Sequence, residues 1–383
     1  MEVKKLKECC TIIAGQSPES KYYNSNGDGL PFFQGKADFG ELYPSIRVYC
    51  SQPTKIAEKD DILLSVRAPV GPTNLAPCKV CIGRGLTAIR PSEVLLTRYV
   101  LLFFRYFEAQ LASKGTGTTF KAITQDVVKN LEIPIPPLPE QERIVARIEE
   151  LFSQLDAGVE TLKKTKAQLA VYRQAVLKEA FEDCIDSVTM GSVATMIDPQ
   201  PSHRTPPEFE NGIPYIGIGD IDYTGKTIRF KDARKVNPAV YEEHLQRYTL
   251  REGDFVMGKI GTIGKPFRLP LPQNYTLSAN VILIQPDAEK INPEYLFWQF
   301  SSPLITEQLM AGKNETSQPA FGIQKARLLR IKMCSPKDQD RIVYSIREKI
   351  SVCENIEQTV TLSLQQAEAM RQSILKDAFE GKL

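Results

Sequence analysis

Two long stretches of the chain place apolar residues at a helical period, and the second stretch repeats the first. Residues 143–183 align without a gap on residues 341–381, at a constant offset of 198 positions. In one heptad frame the first copy has Ile148, Leu155, Leu162, Leu169 and Val176 at a, with Ile144, Leu151, Gly158, Thr165 and Tyr172 at d. The second copy has Ile346, Cys353, Val360, Ala367 and Ile374 at a, with Ile342, Ile356 and Met370 at d and interruptions at Lys349 and Ser363. The period predicts two long coiled-coil helices, the second with a thinner seam.

Both predicted helices follow proline and early acidic residues. The segment IPIPPLPEQE begins at Ile133, and SPKDQD begins at Ser335. Proline is tolerated before or within the first turn of a helix, and acidic residues suit the positive end of the helix dipole. We therefore place the two helices at 140–183 and 336–383. At ~1.5 Å per residue, the repeated segment makes a rod of ~60 Å.

The regions outside the helices, residues 1–139 and 184–335, also resemble each other. Their short apolar runs, separated by glycine and proline, predict mixed strands and helices. Three pairs of segments correspond faintly: residues 30–39 with 213–221, 60–71 with 253–264, and 97–104 with 293–300. The chain is thus a tandem repeat of whole domains. The predicted fold is α+β, with two globular domains separated by two long antiparallel coiled-coil helices around a pseudo-two-fold axis.

Identities between the two helical copies concentrate at the ends of the repeated segment. Some are polar residues that an a/d seam does not require: Arg173, Gln174 and Lys178 recur as Arg371, Gln372 and Lys376. One interpretation is that the helix ends dock a common partner twice. The alternative is that these residues are only the solvated face of a helix.

Composition and charge limit the function only weakly. With 383 residues, 42% of them hydrophobic, the chain is long enough for two or three domains with cores of their own. The formal net charge of +2 neither demands nor forbids nucleic acid, so DNA binding must rest on local clusters. The longest apolar run, 99–107, is too short for a membrane span, and the first residues do not form a signal peptide. We expect a cytoplasmic protein with no membrane association.

Neither metal binding nor catalysis has a convincing sequence signature. The eight cysteines form no regular framework and are expected to be reduced, and Cys78 and Cys81 lack two further ligands at zinc-site spacing. The segment 258–265 has the wrong spacing for a phosphate loop and is followed by Pro266. Residues 205–208 lack the residues that flank the proline pair of an amino-methyltransferase motif. We find no dinucleotide fingerprint, and two histidines give little support to a hydrolase. We expect no catalytic site, metal or cofactor in this chain.

The order of the motifs resembles the specificity subunit of type I restriction-modification systems. The resemblance rests on GDFVMGKIGTIG with its degenerate partner DDILLSVRAPVG, on IPIPPLPEQERIV, on LKEAFE and on the terminal LKDAFEGKL. It implies a non-catalytic subunit with target recognition domains at 1–139 and 184–335, each of which reads one half of a bipartite sequence in double-stranded DNA. It implies two methyltransferase subunits that bring S-adenosylmethionine, and optional restriction subunits that use ATP and Mg²⁺. At 65–69 the first domain departs from the pattern of 258–262, so Arg67 and Lys259 are not expected to be equivalent contacts.

Candidate DNA contacts lie on loops that combine cations with small or hydroxyl residues. Backbone amides and Ser or Thr suit phosphate contacts, whereas Arg, Lys, Asn and Gln can read base edges. In the first domain the candidates are Gln34, Lys36, Arg67, Asn74, Arg84, Lys114, Thr116, Thr118, Thr119 and Lys121. In the second they are Ser202, His203, Arg204, Lys259, Thr262, Lys265, Lys313, Asn314, Thr316, Ser317 and Gln318. The alternative for each is an ordinary solvated loop residue.

Two other classes of function stay open at this point. A coiled-coil adaptor that binds only proteins would explain the helices but not the paired domains. An unrecognised nuclease or methyltransferase would act on DNA without partner subunits. Retention on heparin that weakens steeply with salt separates DNA binding from the adaptor. Incubation with DNA and S-adenosylmethionine, with and without a methyltransferase subunit, tests for an enzyme.

Insertion of whole heptads at matched positions in both helices should lengthen the gap between the half-sites and leave both half-site sequences unchanged. The reason is that the paired helices set the distance between the domains. Single-molecule sequencing of host DNA measures the methylated sequence. An unchanged gap, or a change in either half-site, would count against the helices as a ruler.

Overall fold

The computed structural model describes residues 2–116, 121–260, 262–312 and 321–383. It divides into two compact units. The first unit comprises Met1–Lys163 with Thr361–Leu383, and the second comprises Lys164–Val360. Each unit therefore contains one globular region and one segment of each long helix.

The first unit is built on a four-stranded antiparallel sheet and a five-stranded mixed sheet. Its strands are β1 (Glu2–Lys5), β2 (Cys10–Ala14), β3 (Tyr23–Asn24), β4 (Leu30–Phe33), β5 (Tyr49–Cys50), β6 (Ile56–Ala57), β7 (Ile62–Ser65), β8 (Thr73–Leu75), β9 (Val80–Ile82), β10 (Leu86–Pro91) and β11 (Glu132–Ile135). Its helices are α1 (Leu6–Cys9), α2 (Thr97–Ser113), α3 (Gln125–Lys129) and the start of α4 (Leu138–Glu179). The sheet orders are β2-β10-β7-β8 and β3-β5-β4-β9-β6, with a separate β1-β11 pair.

The second unit repeats the main sheet of this plan but divides its remaining strands among smaller sheets. Its strands are β12 (Asp186–Thr189), β13 (Ala194–Ile197), β14 (Ile213–Ile216), β15 (Ile221–Asp222), β16 (Thr227–Ile228), β17 (Lys235–Val236), β18 (Phe255–Gly258), β19 (Pro266–Arg268), β20 (Thr276–Leu277), β21 (Val281–Pro286) and β22 (Arg330–Met333). Its helices are α5 (Met190–Val193), α6 (Pro238–Leu245), α7 (Pro293–Phe300), α8 (Pro303–Ala311), α9 (Ile323–Arg327) and the start of α10 (Pro336–Phe379). The main sheet has the order β13-β21-β18-β19, beside the smaller sheets β17-β14-β20, β15-β16 and β12-β22.

The two main sheets have the same strand order, which confirms the tandem repeat of an α+β domain. Strands β7 and β18, the centres of the predicted motif pair 60–71 and 253–264, hold the same place between their neighbours. Each unit also has a parallel strand pair outside its main sheet, β4 with β9 in the first and β14 with β20 in the second. The faint sequence similarity therefore reflects a repeated topology.

The end of each long helix completes an aromatic core. In the first unit Phe379 lies 5.2 Å from the ring of Tyr99 and 5.6 Å from that of Phe103. In the second unit the equivalent Phe181 lies 5.3 Å from the ring of Tyr295. The helix that starts after the first domain thus ends on the second domain, and the last helix ends on the first. This packing requires the same apolar residues at both helix ends.

The starts of the two helices are held by equivalent buried glutamines. Gln141 donates to the carbonyls of Val94 and Pro136, and its Oε1 accepts from the amide of Leu96. Gln339 accepts in the same way from the amide of Asn292. Each glutamine therefore fixes the start of a long helix against the start of an earlier helix, α2 in the first unit and α7 in the second. The helices of the structure run from Leu138 to Glu179 and from Pro336 to Phe379, slightly displaced from the predicted 140–183 and 336–383.

Within each unit the two helix segments run antiparallel, as predicted. In the first unit Arg143 donates to the carbonyl of Leu383, and Arg371 forms an ion pair with Asp156. In the second unit Arg173 lies 2.8 Å from a carboxylate oxygen of Glu357. Early residues of one segment thus meet late residues of the other. Both compact units cut across the helices, so the division into separate recognition domains and spacers stays a prediction.

The predicted seam is right at its a positions, and in the second copy it is right at d for Ile342, which is half-buried against the core, but wrong for two other d residues. All a positions of both copies are buried or half-buried. Ile356 and Met370, placed at d, are 40% and 54% exposed. Val343 and Ile350, at e, are buried in the core of the second unit instead. The helix packs against a globular region as well as its partner helix, which turns its buried stripe towards e. In the described parts of the chain, no helix is both long and apolar enough to cross a membrane.

A buried carboxylate occupies the same place in both units but has a different partner in each. In the first unit Asp61 is 2% exposed and accepts two hydrogen bonds from the guanidinium of Arg90, at 2.8 and 2.7 Å. In the second unit Asp254 accepts from the neutral amide of Gln285. Burial raises the pKa of Asp254 above its usual value. The first unit thus neutralises its carboxylate with a cation, and the second does not.

Asp61→Asn should lower the stability of the first unit by about 2 kcal/mol, because its amide would face the donating Nε of Arg90. Asp254→Asn should leave the stability of the second unit unchanged or slightly higher at pH 7. Because the pKa of Asp254 is raised in the folded state, its ionised form at pH 7 destabilises the fold, and asparagine removes that charge. The side-chain oxygen of the asparagine can still accept hydrogen bonds from Gln285 and from the amide of Arg251. Denaturant unfolding with hydrogen exchange measures both variants. Equal losses would contradict this account.

Candidate nucleic-acid interface

Three backbone hydrogen bonds join four loop segments along one edge of the first unit. The amide of Gly83 donates to the carbonyl of Phe33 at 2.8 Å, and the amide of Val66 donates to that of Gly85 at 3.0 Å. The amide of Ile123 then donates to the carbonyl of Val66 at 3.0 Å. The loops after β4, β7, β9 and α2 are thereby neighbours. We call this set of three bonds the backbone frame.

The second unit has the same backbone frame. The amide of Ser278 donates to the carbonyl of Ile216 at 2.8 Å, and the amide of Lys259 donates to that of Asn280 at 2.8 Å. The amide of Phe321 donates to the carbonyl of Lys259 at 2.9 Å. Each bond corresponds to one in the first unit at the same place in the topology. The repeat therefore extends to the loops.

Close backbone packing at the frame requires glycine at two of its turns. A Cβ at Gly85 would lie 2.3 Å from the carbonyl oxygen of Gln34, and one at Gly258 would lie 1.8 Å from that of Thr262. Neither position can hold a larger residue without movement of the backbone. The loops are thus held at fixed spacing.

The frame of the first unit brings together most of the residues that the sequence singles out there. The exposed ones on its four segments are Gln34, Lys36, Arg67, Arg84, Lys114, Thr116 and Lys121. Thr116 pairs through its backbone with Ala122, at 3.0 Å in both directions. Arg67 forms a backbone bridge to the same Ala122. The cations on these segments form a candidate phosphate-binding surface.

Asn74 is a correction to the predicted interface. Its side chain is 1% exposed, accepts from the amide of Gly40 at 3.0 Å and donates to the carbonyls of Gly40 and Thr73. It therefore fastens β8 to the loop at Gly40 and is not presented to a ligand. A polar residue type does not by itself reveal burial.

The second unit places Lys259 differently from Arg67, as expected. The backbone counterpart of Lys259 is Val66, and the Lys259 side chain is 13% exposed. Its Nζ lies 2.8 Å from a carboxylate oxygen of Asp198. The charge of Lys259 is thus used within the unit. Thr262 and Lys265, on the turn after β18, are exposed.

Lys265 and the loop after β13 complete the described part of this surface. The Nζ of Lys265 lies 4.2 Å from the ring centre of Tyr223, a cation–π contact. Ser202, His203 and Arg204 are exposed. The Nε2 of His203 lies 3.9 Å from Asp198, which also holds Lys259. Asp198 therefore ties this loop to the turn after β18.

Some predicted contacts lie outside the described residues. They are Thr118 and Thr119 in the first domain, and Lys313, Asn314, Thr316, Ser317 and Gln318 in the second. Their role stays a prediction.

The two frames carry different side chains at equivalent positions. Where the first unit has Gln34, Lys36, Arg67 and Arg84, the second has Gly217, Gly219, Ile260 and Ala279. The second unit instead presents cations from the turn after β18 and the loop after β13. Asp198, Gln200 and Tyr223 hold these cations or their loop, but they are not among the predicted site residues because nothing in the local sequence marks them as partners.

The predicted docking residues divide into two groups. Arg173 and Arg371 form the ion pairs between helix segments described above, and each side chain is 27% exposed. Their recurrence thus has a cause within the chain. Gln174, Lys178, Gln372 and Lys376 are exposed. The prediction that the helix ends dock partner subunits therefore rests on these four exposed residues. Charge reversal of Arg173 and Arg371 would not test docking alone, because it would also disturb the pairing of the helix segments.

Among the described residues, no group of three or more His, Cys, Asp or Glu side chains could hold a metal ion. Cys81 is buried on β9, and Cys78 is half-buried just before it. Both are free thiols in this structure. Burial raises the pKa of Cys81. This pair is therefore part of the fold of the first unit.

The first part of the chain is similar to a described protein family. Residues 1–170 match the family profile of the type I restriction modification DNA specificity domain. The chain is 40% identical over 167 residues to a putative MjaX specificity subunit of a type I restriction enzyme from Methanocaldococcus jannaschii. The aligned residues cover 43% of this chain and 38% of that protein. It is 25% identical over 334 residues to the EcoKI specificity subunit of Escherichia coli, which covers 80% of this chain and 70% of that one.

Solved structures give matches of the same kind. The HsdS subunit from Thermoanaerobacter tengcongensis is 49% identical where aligned, with a TM-score of 0.38 and coverage of 41% of this chain and 38% of that one. The type I restriction-modification S subunit from M. genitalium is 16% identical, with a TM-score of 0.40 and coverage of 99% and 96%. The chain thus spans about two fifths of the Methanocaldococcus and Thermoanaerobacter relatives.

The triple variant Lys36→Ala, Arg67→Ala and Lys121→Ala should weaken binding of duplex DNA and reduce the slope of log affinity against log salt by about one per lost phosphate contact. Titrations at several salt concentrations, on the chain alone and with the methyltransferase subunits that the sequence resemblance implies, measure the slope. The control is Lys7→Ala, an exposed lysine on α1 outside the frame. An unchanged slope in the triple variant would contradict phosphate contact at this surface.

Proposed function

We propose that this chain belongs to the family of type I restriction-modification specificity subunits and is the sequence-specific DNA-recognition subunit of such a system. Each globular region reads one half of a bipartite site in double-stranded DNA, and the paired helices set the gap between the halves. One observation carries the proposal. Both units build the same backbone frame but present different exposed side chains on it.

A repeated frame suits duplex DNA because the phosphate backbone is the same at every site. Contacts to phosphate and sugar position a protein on the duplex without reading its sequence. Base edges are read by side chains such as Arg, Lys, Asn and Gln. The shared frame would position both units on the duplex in the same way. The side chains at equivalent places differ, with Gln34, Arg67 and Arg84 in the first unit and Gly217, Ile260 and Ala279 in the second, so the two units would read different bases.

A pseudo-two-fold repeat also matches the symmetry of the ligand. A duplex backbone has local two-fold axes, so two copies of one domain can contact it in inverted orientation. In each unit the helix segments run antiparallel, which is the arrangement that such a repeat requires. A span of ~60 Å corresponds to roughly 15 to 18 base pairs at ~3.4 Å each, so an unread gap separates the half-sites.

Methyl transfer and cleavage belong, in this proposal, to partner subunits. Two methyltransferase subunits bring S-adenosylmethionine, and restriction subunits bring ATP and Mg²⁺. The complex acts on DNA in the cytoplasm. Gln174 and Lys178, with their counterparts Gln372 and Lys376, are exposed at matched helix positions and offer two equivalent docking points. Two like sites fit two like partners.

Replacement of residues 1–139 by the same region of another such subunit should change one half of the methylated sequence and leave the other half and the gap unchanged. The reciprocal replacement of 184–335 should change only the other half. Host DNA is sequenced for methylation after expression of each chimera with its methyltransferase subunits. The chain alone, with S-adenosylmethionine and DNA, is the control and should transfer no methyl group.

Three outcomes would contradict the proposal. Methyl transfer by the chain alone would make it an enzyme. A change of both halves in one chimera would contradict modular reading. If neither half changes, the globular regions do not read DNA and the chain is a protein-binding adaptor.

A further inference from the structure

The second unit buries a histidine whose two ring nitrogens are both hydrogen-bonded. His244 lies on α6 and is 1% exposed. Its Nδ1 is 2.5 Å from the hydroxyl of Thr276 on β20, and its Nε2 is 2.5 Å from Oε1 of Gln200. The ring thus bridges a buried strand and the loop after β13. A fully partnered buried polar group fixes the elements that it joins.

The outer end of this bridge sets the direction of its hydrogen bonds. The Nε2 of Gln200 donates to the hydroxyl of Ser202 at 2.8 Å and to the carbonyl of Arg204 at 3.4 Å. A carbonyl only accepts, so the amide nitrogen of Gln200 must face the loop and its oxygen must face His244. We therefore assign the ring proton to Nε2 of His244. Its Nδ1 then accepts from the Thr276 hydroxyl.

The inner end continues in the same direction. Because the hydroxyl of Thr276 donates to His244, its oxygen accepts from the hydroxyl of Tyr248 at 2.9 Å. The oxygen of Tyr248 accepts in turn from the amide of Leu277 at 3.0 Å. Burial lowers the pKa of His244, which keeps the ring in the neutral form that can accept at Nδ1. In this series of hydrogen bonds, which runs from the amide of Leu277 to the side chain of Gln200, each group therefore donates towards the loop at residues 200–204.

Besides the Gln200 side chain, short-range hydrogen bonds hold the loop at the end of this series, from the amide of Gln200 to Asp198 at 3.2 Å and from the amide of His203 to the carbonyl of Gln200 at 3.0 Å. The loop carries the exposed Ser202, His203 and Arg204, which are candidate DNA contacts. Pro199 and Pro201 have no amide N–H to donate. Ser202 and Arg204 are held by the side chain of Gln200, which is half-buried.

The first unit holds the corresponding loop in another way. Its Gln16 matches Gln200, but the carbonyl of Gln16 accepts from the hydroxyl of Thr54 at 2.6 Å, and its amide donates to Ile82. The chain has only two histidines, both in the second unit. The hydrogen bonds through His244 are therefore specific to the second unit.

We propose that the hydrogen-bond relay Tyr248–Thr276–His244–Gln200 holds residues 200–204 in the conformation that reads the second half-site. His244 and Gln200 are thus positioning residues, not DNA contacts. This inference rests on the proposed function, because it assigns to the relay an effect on one half-site of a bipartite sequence.

The test compares Thr276→Val with Thr276→Ser in the chain assembled with its methyltransferase subunits. Valine keeps the shape of threonine but removes the hydroxyl, whereas serine keeps the hydroxyl. Without a donor at Nδ1, His244 can take the other tautomer and turn the Gln200 amide away from Arg204. Thr276→Val should lower discrimination at the second half-site about tenfold, the effect of one or two hydrogen bonds, and Thr276→Ser should restore it to within about twofold.

Methylation of a DNA library with each half-site randomised in turn measures both discriminations in one experiment. Gln200→Met is the second variant, because Gln200 is half-buried on a loop and its loss leaves the core intact. It should also affect the second half-site alone, so the proposal can be tested even if Thr276→Val does not fold. Thr54→Val in the first unit is the matched control and should leave the second half-site unchanged.

Two results would overturn the relay. One is unchanged discrimination at the second half-site in Gln200→Met. The other is an equal loss at both half-sites, which would indicate a general effect on folding or assembly. Measurement of the wild-type chain distinguishes a failure of the relay from a failure of the proposed function. If the wild-type chain directs no bipartite methylation, the proposed function fails and the relay falls with it.

Discussion

The packing of each long helix end into a globular core is the contact on which the rest of the structure depends. Phe379, at the end of the last helix, packs among Tyr99 and Phe103 of the first unit, and Phe181 packs on Tyr295 of the second. Burial of one such ring contributes about 2 to 3 kcal/mol. Neither globular core is complete without the helix that closes it. The two helices are thereby committed to antiparallel pairing within each unit.

This packing also explains which residues recur in the two helices. Phe181 and Phe379 recur because each closes an equivalent core, and Arg173 and Arg371 recur because each forms an ion pair with the partner helix segment. Residues that only face solvent have no such constraint. Lys376 lies 3.9 Å from a carboxylate oxygen of Glu380, one turn further along its own helix. Among the described residues no ion pair ties Lys178 or Lys376 to the partner helix segment, which is why these exposed lysines are the better candidates for docking.

The backbone frame separates where the loops lie from what they carry. Three equivalent amide–carbonyl bonds fix the loops in each unit, and backbone groups are the same whatever the side chain. Except where close packing requires glycine, as at Gly85 and Gly258, side chains on the frame can therefore differ without loss of the fold. The buried carboxylates follow the same rule, since Asp61 pairs with Arg90 and Asp254 with Gln285 at one place in the topology. A duplicated architecture can thus support two different surfaces.

Sequence alone determined the repeat, the two long helices, the mixed domains and the loops that bear the candidate contacts, because periodicity and repeated motifs are local properties of the chain. Tertiary structure decided which side of each helix is buried, since Ile350 at e meets a globular core that no heptad frame contains. It also decided that Asn74 is buried and that Lys259 is paired with Asp198. The partners of these residues, like those of His244 and Gln200, lie far away in the chain. Residue type and spacing do not predict such contacts, because the contacts form only when distant segments of the chain pack together.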